Sequence, residues 1–170
     1  IWTGKCGENL TYTLTDDGTL IISGTGNMKD YTLDYQQSPY ITSAPWKKTP
    51  IYVIIENGVT SIGRNAFYGC TSLKNITLPG SLVSIGESAF NNCTSLNNFT
   101  IPENVINIGE RAFYYCTSLT NVMIPDGVTN IGKYTFSCCT SLASVVLPES
   151  ISYIRDQTFS YCHGLKNILI

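Results

Sequence analysis

Every 23 residues from Val59 onward, the same kinds of side chain return. Ile62, Ile85, Ile108, Ile131 and Ile154 share one phase, and Phe67, Phe90, Phe113, Phe136 and Phe159 share another. Cys70, Cys93, Cys116, Cys139 and Cys162 follow, then Leu73, Leu96, Leu119, Leu142 and Leu165. The unit reads V-x-x-I-G-x-x-[AT]-F-x-x-C-x-x-L-x-x-[IFV]-x-[LI]-P, and no insertion or deletion interrupts five passes. A unit this short cannot bury its own apolar face, whereas stacked units bury theirs against one another. Such a chain must fold as a solenoid, with equivalent side chains in ladders along its axis.

Within each unit the period shifts. Leu73 to Leu78 alternates apolar positions at Ile76 and Leu78, as a strand with one inward face does. Successive copies pair as a parallel sheet at ~4.8 Å per coil. Pro79, Pro102, Pro125 and Pro148 end the strands, because proline cannot donate to a ladder. Val53 and Ile55 match the phase of Ile76 and Leu78, so the sheet begins at Tyr52 to Ile55. The expectation is a β-dominated member of the α/β class with a concave parallel sheet of about six strands. Gly63 to Tyr68, with Ala66-Phe67 inside it, reads as a short helical turn on the convex side. Val59 and Ile62 read as a second short strand or an extended arc, and the Ile-Gly pairs as tight bends eased by glycine.

Residues 1–50 lie outside the period. Leu10 to Leu14 and Thr19 to Ser23 flank Asp16-Asp17-Gly18, a hairpin signal. Trp2, Met28, Tyr31 and Trp46 supply apolar anchors among irregular segments. An open solenoid end exposes core and strand edge. Residues 1–50 therefore read as an N-terminal cap with a β-hairpin, and 51–170 as a solenoid of five 23-residue repeats. Ile170 falls in the strand phase with no polar unit after it, which suggests a truncated C-terminus or an end that meets a partner.

The pattern I-G-x-x-A-F-x-x-C-x-x-L-x-x-I-x-[LI]-P resembles the leucine-rich repeats of the BspA type, found in bacterial surface proteins and some protozoan ones. Gly4-Lys5-Cys6-Gly7 and Leu20 to Met28 resemble the segment that often precedes them. The resemblance implies a leucine-rich-repeat solenoid on a cell surface or secreted, engaged in adhesion to host proteins or other cells. It carries no catalytic motif. Arg155 stands in the repeated Gly position, Thr135 and Thr158 in the Ala position, and His163 in the Thr position.

Composition limits the chemistry. Charged residues are 13% of 170 and the net charge is −2. No basic face exists to meet nucleic acid; Lys47-Lys48 is only a pair. No apolar run is long enough to span a membrane. Ile1 to Gly4 lack the charged and apolar regions of a signal peptide.

The five in-phase cysteines read as a ladder of buried free thiols. Adjacent rungs are close enough for a disulfide, yet five equivalent rungs cannot pair off evenly. Cys6 and Cys138 lie outside the ladder and are the thiols expected to react. Cys138, Cys139, Cys162 and His163 come from neighbouring coils, but the repeat dictates their spacing, so no metal site is read from it. His163 is the single histidine, in a surface Thr slot. No nucleophile motif, phosphate loop or carboxylate pair across a cleft is legible. The chain reads as a non-enzyme needing no cofactor.

Binding has better support. Outward strand positions form a concave array: Asn75 and Thr77, Asn98 and Thr100, Asn121 and Met123, Ser144 and Val146, Asn167 and Leu169. The second column turns from threonine to apolar along the axis, as a partner site does. The Asn column equally reads as self-stabilising amide stacking. Tyr68, Tyr114, Tyr115, Tyr134, Tyr153 and Tyr161 mark a second candidate surface on the convex side. The partner reads as a protein, including a host extracellular protein, bound by a monomer. A glycan is the alternative if aromatics and Asn or Asp share one groove, and a structural spacer in a larger surface protein is another.

Overall fold

The computed structural model describes every residue except Lys48 and Asn98. Three strands open the chain: β1 (Trp2–Lys5), β2 (Gly7–Leu14) and β3 (Thr19–Met28). They pair antiparallel, with Trp2 opposite Leu14 and Leu14 opposite Leu20. The turn between β2 and β3 closes where the Asp-Gly signal stands. Asp17 Oδ1 accepts from Thr15 Oγ1 and from Thr19 N, and these bonds hold its carboxyl below the ordinary range. After the small pair β4 (Leu33–Asp34) and β5 (Ile41–Thr42) come β6 (Tyr52–Ile55) and β7 (Val59–Ile62). The strand β3 pairs parallel with both, Leu20 beside Val53 and Gly26 beside Val59. It turns the corner between them at Gly24, whose φ of +115° only glycine adopts freely.

Repeat strands then follow as β8 (Asn75–Thr77), β9 (Ser84–Ile85), β10 (Asn107–Ile108), β11 (Asn121–Met123), β12 (Ser144–Val146) and β13 (Asn167–Leu169). Two parallel arrays result. One joins β6 to β8 and β11 to β12 to β13 on the concave side. The other joins β7, β9 and β10 on an adjacent face and thins to the single bridge Ile131–Ile154. Val59 and Ile62 thus form a strand, as their pattern suggests.

Among the described residues, no strand joins β8 to β11 on the concave side. Among the described residues, 99–101 form no strand. Phe99 sits where the other rungs carry Ile or Val, and its ring lies edge-on to both Phe90 (5.5 Å) and Phe113 (4.7 Å). Its side chain thus packs between two coils of the core.

The convex segments are not helical. Each holds two residues in the left-handed region four positions apart: Asn65 and Gly69, Ser88 and Asn92, Arg111 and Tyr115, Tyr134 and Cys138, Gln157 and Tyr161. Left-handed residues break a right-handed helix. Backbone bonds alternate instead: Ala66 N donates to Gly63 O within the coil, while Asn65 N and Phe67 N donate to Glu87 O and Ala89 O of the next. The turns therefore stitch coils together rather than close on themselves.

Identical side chains stack through the core. Phe67, Phe90, Phe113, Phe136 and Phe159 lie ring over ring, 5.3–5.7 Å apart with planes within 7°. Trp46 covers the first ring at 5.6 Å and donates from Nε1 to Ala66 O at 2.8 Å. The glycine after Ile62, Ile85, Ile108 and Ile131 is needed for a different reason from a bend. Its φ is ordinary, but a Cβ on Gly86 or Gly109 would stand 2.5–2.8 Å from the backbone of the preceding coil.

Candidate interaction surface

Beside each phenylalanine, the ladder thiols face inward. Cys93, Cys116, Cys139 and Cys162 each donate from Sγ to the carbonyl of a phenylalanine one coil back, at 3.0–3.2 Å. Cys70 does the same to Lys47 O at 3.2 Å. These thiols are thus hydrogen-bond donors as well as small apolar fillers. No disulfide links the seven cysteines, and burial pushes the Cys93, Cys116, Cys139 and Cys162 thiols up. Cys6 departs from expectation: it is fully buried behind the hairpin, and burial pushes its thiol up to about 11. Cys138 and Cys162 are the part-exposed thiols.

The groups that might do chemistry do not converge. His163 is exposed, edge-on to Tyr161. Cys139 and Cys162 are committed to carbonyls, and Cys138 lies beside Ser137 Oγ at 3.7 Å. Among the described residues no three His, Cys, Asp or Glu side chains are gathered to hold a metal, and no helix is long and apolar enough to cross a membrane.

Outward strand positions do converge. Met123, Val146 and Leu169 are register partners on β11, β12 and β13. Met123 is 67% exposed and Leu169 56%, with Val146 half-buried between them. A cavity of about 510 Å³ lies against Met123 and Val146, walled by Ile101, Pro125 and Pro148. Glu103 and Asp126, each one residue past a proline and exposed, line its edge, and Glu149, the next residue at the repeat spacing, lines the neighbouring depression with Asp126 and Ile170. Toward the N-terminus the surface is polar. Asn75, Thr77, Thr100 and Asn121 border a depression of about 680 Å³ beside Phe99.

Asn121 is bonded by Ser144 Oγ at 2.7 Å, so the link in this part of the column is hydroxyl to amide rather than amide to amide. Asn167 is exposed on the last rung, and Asn98 lies outside the described residues. At the other end Tyr52 and Ile54 are exposed in the same two columns. Sequence reading passed over this pair, although the alternation Tyr52-Val53-Ile54-Ile55 carried the signal.

A model of the BspA-type leucine-rich-repeat region matches residues 47–168 in six copies. The chain belongs to the BspA-type leucine-rich-repeat family. Solved structures agree. A leucine-rich-repeat protein of T. pallidum is 28% identical with a TM-score of 0.76, over 93% of this chain and 78% of that one. One from Eubacterium ventriosum is 31% identical with a TM-score of 0.81, over 98% of this chain and 43% of that one. A leucine-rich cell surface protein of Faecalibacterium prausnitzii is 26% identical with a TM-score of 0.61, over 99% of this chain and 54% of that one. The chain thus spans about half the length of the last two. No functionally curated protein matches the sequence. A BspA-type solenoid offers surface generally suited to interaction, and the ligand is a property of the site rather than of the fold.

Proposed function

We propose that the chain is an adhesive interaction module of a bacterial surface or secreted protein, docking a protein partner on the apolar end of its concave sheet. The observation that carries this reading is the register row of exposed Met123, half-buried Val146 and exposed Leu169, with Glu103 and Asp126 bordering the cavity against Met123 and Val146. Contiguous apolar surface of this kind costs solubility unless it is covered. The acidic border selects the partner: an apolar knob flanked by Lys or Arg, as on a host extracellular matrix protein. Such charges set the rate and orientation of encounter more than the affinity.

The test is a surface-binding screen of the monomeric chain against immobilised matrix proteins, with a Met123→Glu, Val146→Glu variant alongside. Binding that weakens with salt and is lost in the variant supports docking at this face. Absence of binding by either form favours the spacer reading, in which the solenoid separates other parts of a larger surface protein.

A further inference from the structure

A second surface lies on the convex side, away from the concave strands. The pair β4–β5 carries Tyr35 and Tyr40 edge to face, ring centroids 5.0 Å apart. This hairpin is strapped onto the first convex turn. Tyr31 N donates to Arg64 O (2.9 Å), Thr42 Oγ1 to Asn65 O (2.7 Å) and Asn65 Nδ2 to Tyr31 O (2.9 Å). Tyr68 stands across from the two tyrosines, and between them opens a groove of about 510 Å³. That volume lies in the ~300–1,000 Å³ range of small-ligand sites. Burial, with Tyr40 and Tyr35 close by, raises the Tyr68 phenol, so its hydroxyl stays a neutral donor and acceptor.

Charge in the groove is already matched. Arg64 Nε faces Glu87 Oε2 at 3.7 Å, and Arg111 pairs with Glu110 and lies over the Tyr134 ring at 4.8 Å. Each cation thus has a carboxylate beside it that an anionic ligand would have to face. Asn91 lines the same groove and is 7% exposed. Among the described residues its one side-chain hydrogen bond is long, 3.5 Å to Ser88 Oγ. A nearly buried amide with unused capacity asks for a polar partner.

We propose that this groove binds a neutral saccharide, a chain of β-linked pyranose rings. Such rings carry flat C–H faces that lie on aromatic rings and equatorial hydroxyls that both donate and accept. Tyr35, Tyr40 and Tyr68 supply rigid aromatic area at low entropic cost. Asn91 and the tyrosine hydroxyls meet the sugar hydroxyls. An apolar peptide side chain would leave Asn91 unsatisfied, and an anion would meet Glu87 beside Arg64 and Glu110 beside Arg111. The groove stands independently of the concave docking face, and either assignment can fail alone.

Affinity electrophoresis through gels containing mixed-linkage β-glucan, xylan, glucomannan or glycol chitin tests the proposal. The parent chain is expected to be retarded by at least one of these polymers. Tyr35→Ala, Tyr40→Ala should weaken that binding at least ten-fold, while Met123→Glu, Val146→Glu binds like the parent. Tyr35→Ala alone removes a ring that is 68% exposed, so it separates lost binding from lost folding. Migration unaffected by every polymer, binding undiminished in the tyrosine variants, or retardation only by anionic polygalacturonate overturns the assignment.

Discussion

Phe113 and Phe136 lie ring over ring, centroids 5.3 Å apart and planes within 1°, though 23 residues separate them in sequence. One repeat of chain therefore advances the stack by one coil, and the middle rings Phe90, Phe113 and Phe136 are flanked on both sides by their equivalents.

Removing a middle ring should open a void that rigid neighbouring coils cannot close. Phe113→Ala is expected to cost about 3–5 kcal/mol, and Phe113→Leu clearly less. Urea unfolding followed by circular dichroism measures both. A cost for alanine below about 1 kcal/mol would mean that the stack does not hold the coils together.

Trp46 caps that stack and lies edge-on to Tyr12 and Tyr31, each at 5.5 Å. If residues 1–50 serve as a cap, Trp46→Ala should destabilise the whole chain by about 3–5 kcal/mol rather than loosen the N-terminus alone. Hydrogen exchange distinguishes the two: loss of protection confined to residues before 50 would count against the cap.

Glycine is required at position 109 by its neighbours rather than by its own φ. A Cβ there would lie 2.5 Å from Glu87 N, and backbone cannot step aside as a side chain tip can. Gly109→Ala should therefore destabilise by about 1–3 kcal/mol, where alanine at an unstrained, uncrowded site would stabilise slightly.

Native-state thiol labelling should reach Cys138 first and Cys162 more slowly, and spare Cys6 with the rest of the ladder. Rapid modification of Cys6 or Cys116 in folded protein would show that the coils open.

Alkali should act through the same thiols. Burial pushes Cys116 from 9.0 up to about 12, so the folded state holds its proton where the unfolded chain releases it. Stability from this source is complete below about pH 9 and falls as pH rises toward 12, by up to about 1.4 kcal/mol per pH unit for each such thiol. Urea midpoints from pH 7 to 11 read this directly, and Cys116→Ala should flatten part of the decline. A midpoint unchanged between pH 9 and 11 would contradict it.

Much of this molecule was written along the chain. A repeat with no insertions leaves one way to bury Ile62, Phe67, Cys70 and Leu73 and their copies, and the strict period-two alternation assigns Ile76 inward and Thr77 outward. The hairpin at Asp16-Asp17-Gly18, the strand at Tyr52 and the outward row Met123, Val146 and Leu169 follow from local pattern alone.

Tertiary structure decided what local pattern could not carry. Helix and left-handed turn share a composition at 63–69, and only the coil-to-coil bonds of Asn65 and Phe67 select the turn. The ring of Phe99 lies against both Phe90 and Phe113, a packing between two coils that the strand pattern of its own repeat does not specify. Cys6 is buried by a hairpin that folds over it from residues up to 22 positions away. Tyr35, Tyr40 and Tyr68 face one another only because hydrogen bonds from Thr42 and Asn65 strap a non-repeating loop onto the first coil. Period determines which residues form ladders; side-chain volume and contacts between distant segments determine what packs between the coils and where a groove opens.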